Sequence, residues 1–244
     1  PLALRAAELE SVKKVAYGIT GAFEGGRPQS LQTLDDGIIS YGAHQATLKS
    51  GALGAIIHKY TDSSNSEVAS ALEHFLPRVD EKDPGLANSP YFLLLLKQAA
   101  KSPEMLSAQN EVFGINYWKP AVERTKTYKL NSPLAAALFY DTAVHGGIVP
   151  ILNRVSADLS GKNPTEGDFL REFLIQRKEF LLTTAELKRK AKKEKQAEML
   201  ENAADTRIDF FQQLLDAKNF ELKGTFNILG QTVTGLTKLA NAEK

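Results

Sequence analysis

The residues of this chain whose type and spacing fit bond-breaking chemistry lie between Ala22 and Leu48. Glu24 stands where an amphipathic stretch runs into Gly25-Gly26. Asp35 and Asp36 follow across a short polar connection, just before a glycine-punctuated segment of strand type. A carboxyl at a helix end and carboxyls on a turn make the pair that hydrolysis of a glycosidic bond needs. One protonates the leaving oxygen while the other activates water or steadies the cationic sugar. A carboxyl set against apolar surface has its charged form disfavoured, so with Phe23 beside it Glu24 is expected to be able to hold a proton near neutral pH. A glutamate at a helix end is as often simply exposed, and Asp35-Asp36-Gly37 is also a plain turn signature. What singles the stretch out is its company: Ser40, His44 and Gln45 offer hydrogen bonds to sugar hydroxyls, and Tyr41 offers a ring for stacking.

The elements that must hold these groups follow from periodicity. Leu4, Leu9, Val12, Val15 and Ile19 recur at helical spacing and predict a helix over 5–23, ended by the two glycines. Residues 27–47 lack that period, and Ile38, Ile39 and Tyr41 predict a short strand or hairpin wall. Further helices are expected over 51–60, 67–76, 89–101, 103–128, 134–145, 169–182 and 208–215, with a loop over 80–90 marking a lobe boundary. Ser102-Pro103-Glu104 is a helix start: a capping hydroxyl, then proline where no backbone N–H is needed. The tail after Gly224 is apolar enough to pack down. The count of roughly nine helices and one small hairpin predicts a mainly helical α+β chain, two-lobed, with the site between lobes.

One carboxylate, Asp141, falls inside the apolar run 134–145. A buried carboxylate is costly unless paired, so an arginine is expected beside it, and Arg177 and Arg207 are the candidates. Such a pair serves architecture or catalysis equally well. Lys188, Arg189, Lys190, Lys192, Lys193 and Lys195 form a basic run that reads as a solvated helix face, or as an attraction to an anionic polymer.

Bulk composition removes several classes. A net charge of +1 over 244 residues lacks the basic excess of a nucleic-acid binder. No apolar run approaches the ~18–20 residues of a membrane span, so membrane insertion is not expected. Without cysteine there is neither a disulfide nor a thiolate nucleophile. No P-loop, dinucleotide fingerprint, zinc-protease spacing or nucleophile elbow is present. Neither metal nor cofactor is expected.

The chain resembles the glycoside hydrolase family 46 chitosanases and their lysozyme-superfamily relatives over about residues 12–229. The resemblance rests on ordered blocks: Gly37-Ile38-Ile39; His58-Lys59-Tyr60-Thr61-Asp62; Ala108-Gln109-Asn110-Glu111; Pro120-Ala121-Val122; Phe139-Tyr140-Asp141-Thr142-Ala143-Val144-His145-Gly146; Phe173-Leu174 with Arg177-Lys178; and Thr206-Arg207-Ile208-Asp209. It implies a single two-lobed lysozyme-like catalytic domain over 1–244, Glu24 as general acid, and Asp141, Arg177 and Arg207 as the buried ionic network behind that acid. It also implies inversion at the anomeric carbon. Two departures stand out. The connection from Glu24 to the Gly-Ile-Ile block is shorter than in typical chitosanases, so Asp35, or else Asp36, stands in for the second carboxylate. Ala52 occupies the place where chitosanases read the glucosamine ammonium with an aspartate.

These features lead to an endo-acting hydrolase of β-1,4 links in an amino-sugar polymer. Bacterial peptidoglycan comes first, in particular de-N-acetylated glycan, and chitosan second. Ser40, Tyr41, His44, Gln45, Tyr60 and His145 are expected to line subsites. The setting is expected to be secreted or periplasmic after loss of a signal peptide, and the protein a monomer. A catalytically inactive glycan-binding relative is the competing reading from another class, and a helical adaptor built on the basic run is a third.

Overall fold

Three helices begin with the same dipeptide device. Ser89-Pro90, Ser102-Pro103 and Ser132-Pro133 each place a serine hydroxyl as acceptor for the backbone N–H three residues on, from Phe92, Met105 and Ala135. Proline then fills the first helical position, where its missing N–H costs nothing. The computed structural model describes residues 6–25, 27–33 and 37–237. Among them it has eleven α-helices and two small antiparallel sheets, so the mainly helical α+β class is observed.

The described chain divides into two compact units. One comprises residues 20–119. It holds the last turn of α1 (Ala6–Glu24), the strands β1 (Leu31–Gln32), β2 (Ser40–Tyr41) and β3 (Ala46–Thr47), and the helices α2 (Ala52–Ser63), α3 (Glu67–Glu73), α4 (Leu76–Asp80), α5 (Pro90–Ala99) and α6 (Pro103–Phe113). The strands pair in the order β1-β2-β3, with Leu31 opposite Tyr41 and Ser40 opposite Thr47. α2 is the central helix, packing against β3, α3, α4 and α6. Its Leu53, Ile56, Ile57 and Tyr60 are buried, which accounts for the apolar period of this stretch.

The other unit comprises the chain up to Ile19 and everything from Pro120 onward. It contains most of α1, then α7 (Lys119–Thr127), α8 (Pro133–His145), α9 (Ile148–Asp158), α10 (Glu166–Lys190), α11 (Glu194–Asp216) and the hairpin β4 (Thr225–Ile228)–β5 (Gln231–Thr234). α8 is apolar nearly all round and every residue from Leu134 to Thr142 is buried. α8 and α10 lie side by side pointing the same way. Glu166 accepts hydrogen bonds from the backbone N–H groups of Asn131 (3.1 Å) and Ser132 (2.9 Å), Phe139 lies 4.9 Å from Phe173 ring to ring, and Asp141 binds Arg177. α10 and α11 form a long antiparallel pair, sealed at its tip by Arg189, which donates to both Glu201 oxygens and to Glu194.

Several expectations change, among them the lobe boundary placed at 80–90, since the divisions fall at 19/20 and 119/120. The segment 103–128 is one helical run interrupted by a π-helical turn, Gly114–Trp118, between α6 and α7. The stretches 169–182 and 208–215 are the apolar middles of much longer helices, because the long charged faces around them are helical too. α9 had no counterpart in the sequence reading. Gly146-Gly147 and Pro150 look like punctuation, yet Pro150 falls in the helix's first turn, where it is tolerated. The apolar tail does pack down, as the β4–β5 hairpin with Phe226, Ile228 and Val233 buried.

Candidate active site

Glu24 is the last residue of α1 and is half-buried. The helix stops there because Gly25 turns into the left-handed region, φ +60°, and sends its N–H back to the Ala22 carbonyl. A side chain with a Cβ would resist that conformation, so the glycine is what presents Glu24 at a helix end. Gly21, one turn earlier, faces the His44 ring: a Cβ at Gly21 would meet His44 Cε1 at 3.9 Å, an ordinary van der Waals contact. His44 is buried against Phe113, ring centroids 4.8 Å apart, and Phe113 stacks on Tyr117. The acid-bearing turn is therefore backed by an aromatic stack from the end of α6 and the π turn.

The sheet beside it is held by amide groups. Gln109, 3% exposed, accepts a hydrogen bond from Ala43 N–H at 3.3 Å and donates one to the Pro28 carbonyl at 3.1 Å, tying the β2–β3 turn to the chain leaving Glu24. The fit is close. Gly42 sits at φ +82°, and a Cβ there would come within 2.4 Å of Gln109 Oε1. Gln45, φ +52°, closes the turn by donating from Nε2 to the Gly42 carbonyl at 2.9 Å. Gln109 is the residue that reading the sequence for chemistry overlooked. Its only signal was membership of the Ala108-Gln109-Asn110-Glu111 block.

The substrate-binding roles expected of this stretch need correction. Ser40 is 1% exposed, Tyr41 0%, Tyr60 1% and His44 7%. Tyr41 donates its hydroxyl to the Leu96 carbonyl at 2.8 Å, and the Tyr60 hydroxyl is bonded to Ser66 Oγ at 3.0 Å. Rings with no exposed face cannot stack on a sugar, so both tyrosines serve as frame. Burial pushes the Tyr41 phenol above its ordinary pKa, in keeping with that role. Gln45 remains half-buried. Asp35 and Asp36 lie outside the described residues.

In the other unit the expected ionic network is present. Asp141, fully buried, accepts from Arg177 NH2 on one oxygen and from Arg207 NH1 on the other, both at 2.6 Å. Burial by itself would raise this carboxyl's pKa; Arg207 and Arg177 outweigh it and hold it down to about 2. Arg177 and Arg207 are themselves 1% and 4% exposed. His145, at the end of α8, is half-buried and held down to about 3, first by burial and then by the same two guanidinium groups, against the pull of Asp141. Near neutral pH it is therefore a neutral imidazole, able to donate one hydrogen bond and accept one. Among the described residues no three His, Asp or Glu side chains converge as a metal-binding group would.

A model of glycosyl hydrolase family 46 matches residues 29–226, beginning just after Glu24. A chitosanase of Bacillus subtilis (strain 168) is 24% identical, the match covering 88% of this chain and 81% of the relative. Among solved structures, a Glu→Ala mutant chitosanase from Bacillus subtilis MY002 complexed with 6 GlcN superposes with TM-score 0.74 at 21% identity, over 92% of this chain and 99% of that one. A family 46 chitosanase from Gynuella sunshinyii in complex with chitotetraose superposes with TM-score 0.75 at 22% identity, over 94% and 97%. The fold is shared along nearly the whole length.

Proposed function

This chain belongs to glycosyl hydrolase family 46, and from that premise we propose that it is an endo-acting chitosanase with Glu24 as its general acid. It is a glycosidase; the proposal concerns its polymer and its residues. The observation that supports chitosan is that the relatives matched over most of their length are chitosanases, one solved with 6 GlcN and another with chitotetraose. Peptidoglycan, the first choice from sequence, gives way on this ground.

In the proposed reaction the Glu24 carboxylic acid protonates the glycosidic oxygen as the C–O bond breaks. A second carboxylate, from Asp35 or Asp36, takes a proton from the water that attacks the opposite face of the sugar. That arrangement inverts the anomeric centre. A polymer of this size does not cross a membrane unaided, so the proposal places the enzyme outside the cytoplasm. One observation keeps peptidoglycan as the second reading: Ala52, buried at the start of α2, offers no carboxylate for a glucosamine ammonium.

The test compares parent and Glu24→Gln for release of reducing ends from chitosan and from acetylated and deacetylated sacculi. Loss of general-acid catalysis is expected to cost about 10²–10⁴-fold in kcat. A Glu24→Gln enzyme as fast as the parent would remove Glu24 from the mechanism. Turnover of sacculi alone would move the substrate to peptidoglycan.

A further inference from the structure

Thr20 lies one turn before Glu24 on α1. It is 0% exposed, and its hydroxyl oxygen is buried with no hydrogen-bond partner among the described residues. A threonine inside a helix ordinarily settles its hydroxyl on the carbonyl four residues earlier, as Thr142 does on Leu138 and Thr184 on Phe180. Thr20 does not. Leaving a hydroxyl buried and unbonded costs ~1–3 kcal/mol, and such groups in a native protein call for a reason.

Helix geometry supplies one. Residues four apart share a face, and side chains lean toward the helix N-terminus, so the Glu24 side chain is carried back over the turn that holds Thr20. Gly21, between them, contributes no side chain of its own to that surface.

Building on Glu24 as the acid, we propose that Thr20 is a positioning residue. In the substrate complex its hydroxyl hydrogen-bonds the Glu24 carboxyl, directly or through one ordered water, and fixes the rotamer from which the proton is delivered. Because Thr20 never touches sugar, its contribution falls on kcat and not on KM.

The experiment uses the full chain and glucosamine oligomers, with Thr20→Val, Thr20→Ser, Glu24→Gln and the Thr20→Val/Glu24→Gln double variant. Valine keeps the shape and removes the hydroxyl. A hydrogen bond to an ionisable partner predicts a fall in kcat of about tenfold or more with KM unchanged. The melting temperature should stay level or rise, since an unbonded buried hydroxyl is gone. Serine should restore kcat, and valine should cost nothing further once Glu24 is glutamine. Thr20→Val at the parent's kcat, with Glu24→Gln inactive, overturns the positioning role and leaves Glu24 standing. Equal losses for valine and serine mean packing and also overturn it. An active Glu24→Gln takes down both readings.

Discussion

Around Ser40–Thr47 the chain is held by neutral groups: the Gln109 amide bridging Ala43 and Pro28, the Gln45 amide on Gly42, and a tyrosine hydroxyl on Leu96. Around Asp141 it is held by charge, one carboxylate between two guanidinium groups, all three almost wholly out of water. The amide region owes its shape to close backbone approach and left-handed turns, so it is sensitive to an added methyl group. The ionic region owes its shape to mutual neutralisation, so it is sensitive to the loss of a partner. One fails by crowding, the other by desertion.

The contrast can be broken at three places. Asp141→Asn leaves two buried guanidinium groups facing each other without a counter-charge, which is expected to cost ~3–5 kcal/mol. A urea midpoint unchanged from the parent would show that the network is not what holds α8 to α10 and α11. Gly42→Ala places a methyl at φ +82° against Gln109; left-handed strain of ~1–2 kcal/mol and the loss of about one net hydrogen bond give about 3 kcal/mol. Combining it with Gln109→Ala should cost less than the two separately, because the clash disappears; strict additivity would count against crowding.

The third effect is smaller and depends on pH. The folded-state pKa of His145, about 3, lies below the ordinary value of ~6.5. The unfolded chain therefore binds the proton first. The contribution is intact above the unfolded value and is lost as pH falls from ~6.5 toward 3, about 2 kcal/mol between pH 7 and pH 5. His145→Gln should flatten the stability curve across that interval. Asp141, depressed to about 2, acts in a separate window: its contribution is present above ~3.9 and disappears only below that. Identical slopes for parent and His145→Gln from pH 7 to 5 would refute the assignment.

The same contrast explains how far the sequence could be read. Asp141 betrayed itself because a carboxylate in an apolar helix has to find cations, and Arg177 and Arg207 sat in the next amphipathic stretches. The helix end at Glu24 was legible from the glycines after it, and the Ser-Pro starts from the capping rule. Gln109 was not, because an amide bonding to backbone of distant segments obeys no spacing. Tyr41 and Tyr60 misled for a related reason. An aromatic near an acid reads as a stacking platform, and only burial reveals a strut. α9 hid behind a proline that a first turn accepts.

The parallel alignment of α8 and α10 bears on what changes in length the chain tolerates. Contacts at Ser132, Phe139 and Asp141 meet Glu166, Phe173 and Arg177 in the same order. One residue inserted between Ser132 and Asp141 would swing Asp141 through about 100° and lift it by about 1.5 Å, parting it from both arginines at once. No compensating shift of α10 could repair this without undoing the Glu166 end. Insertions and deletions should therefore be excluded from 132–141 and from 166–177, while the connection between α9 and α10 remains free to vary in length.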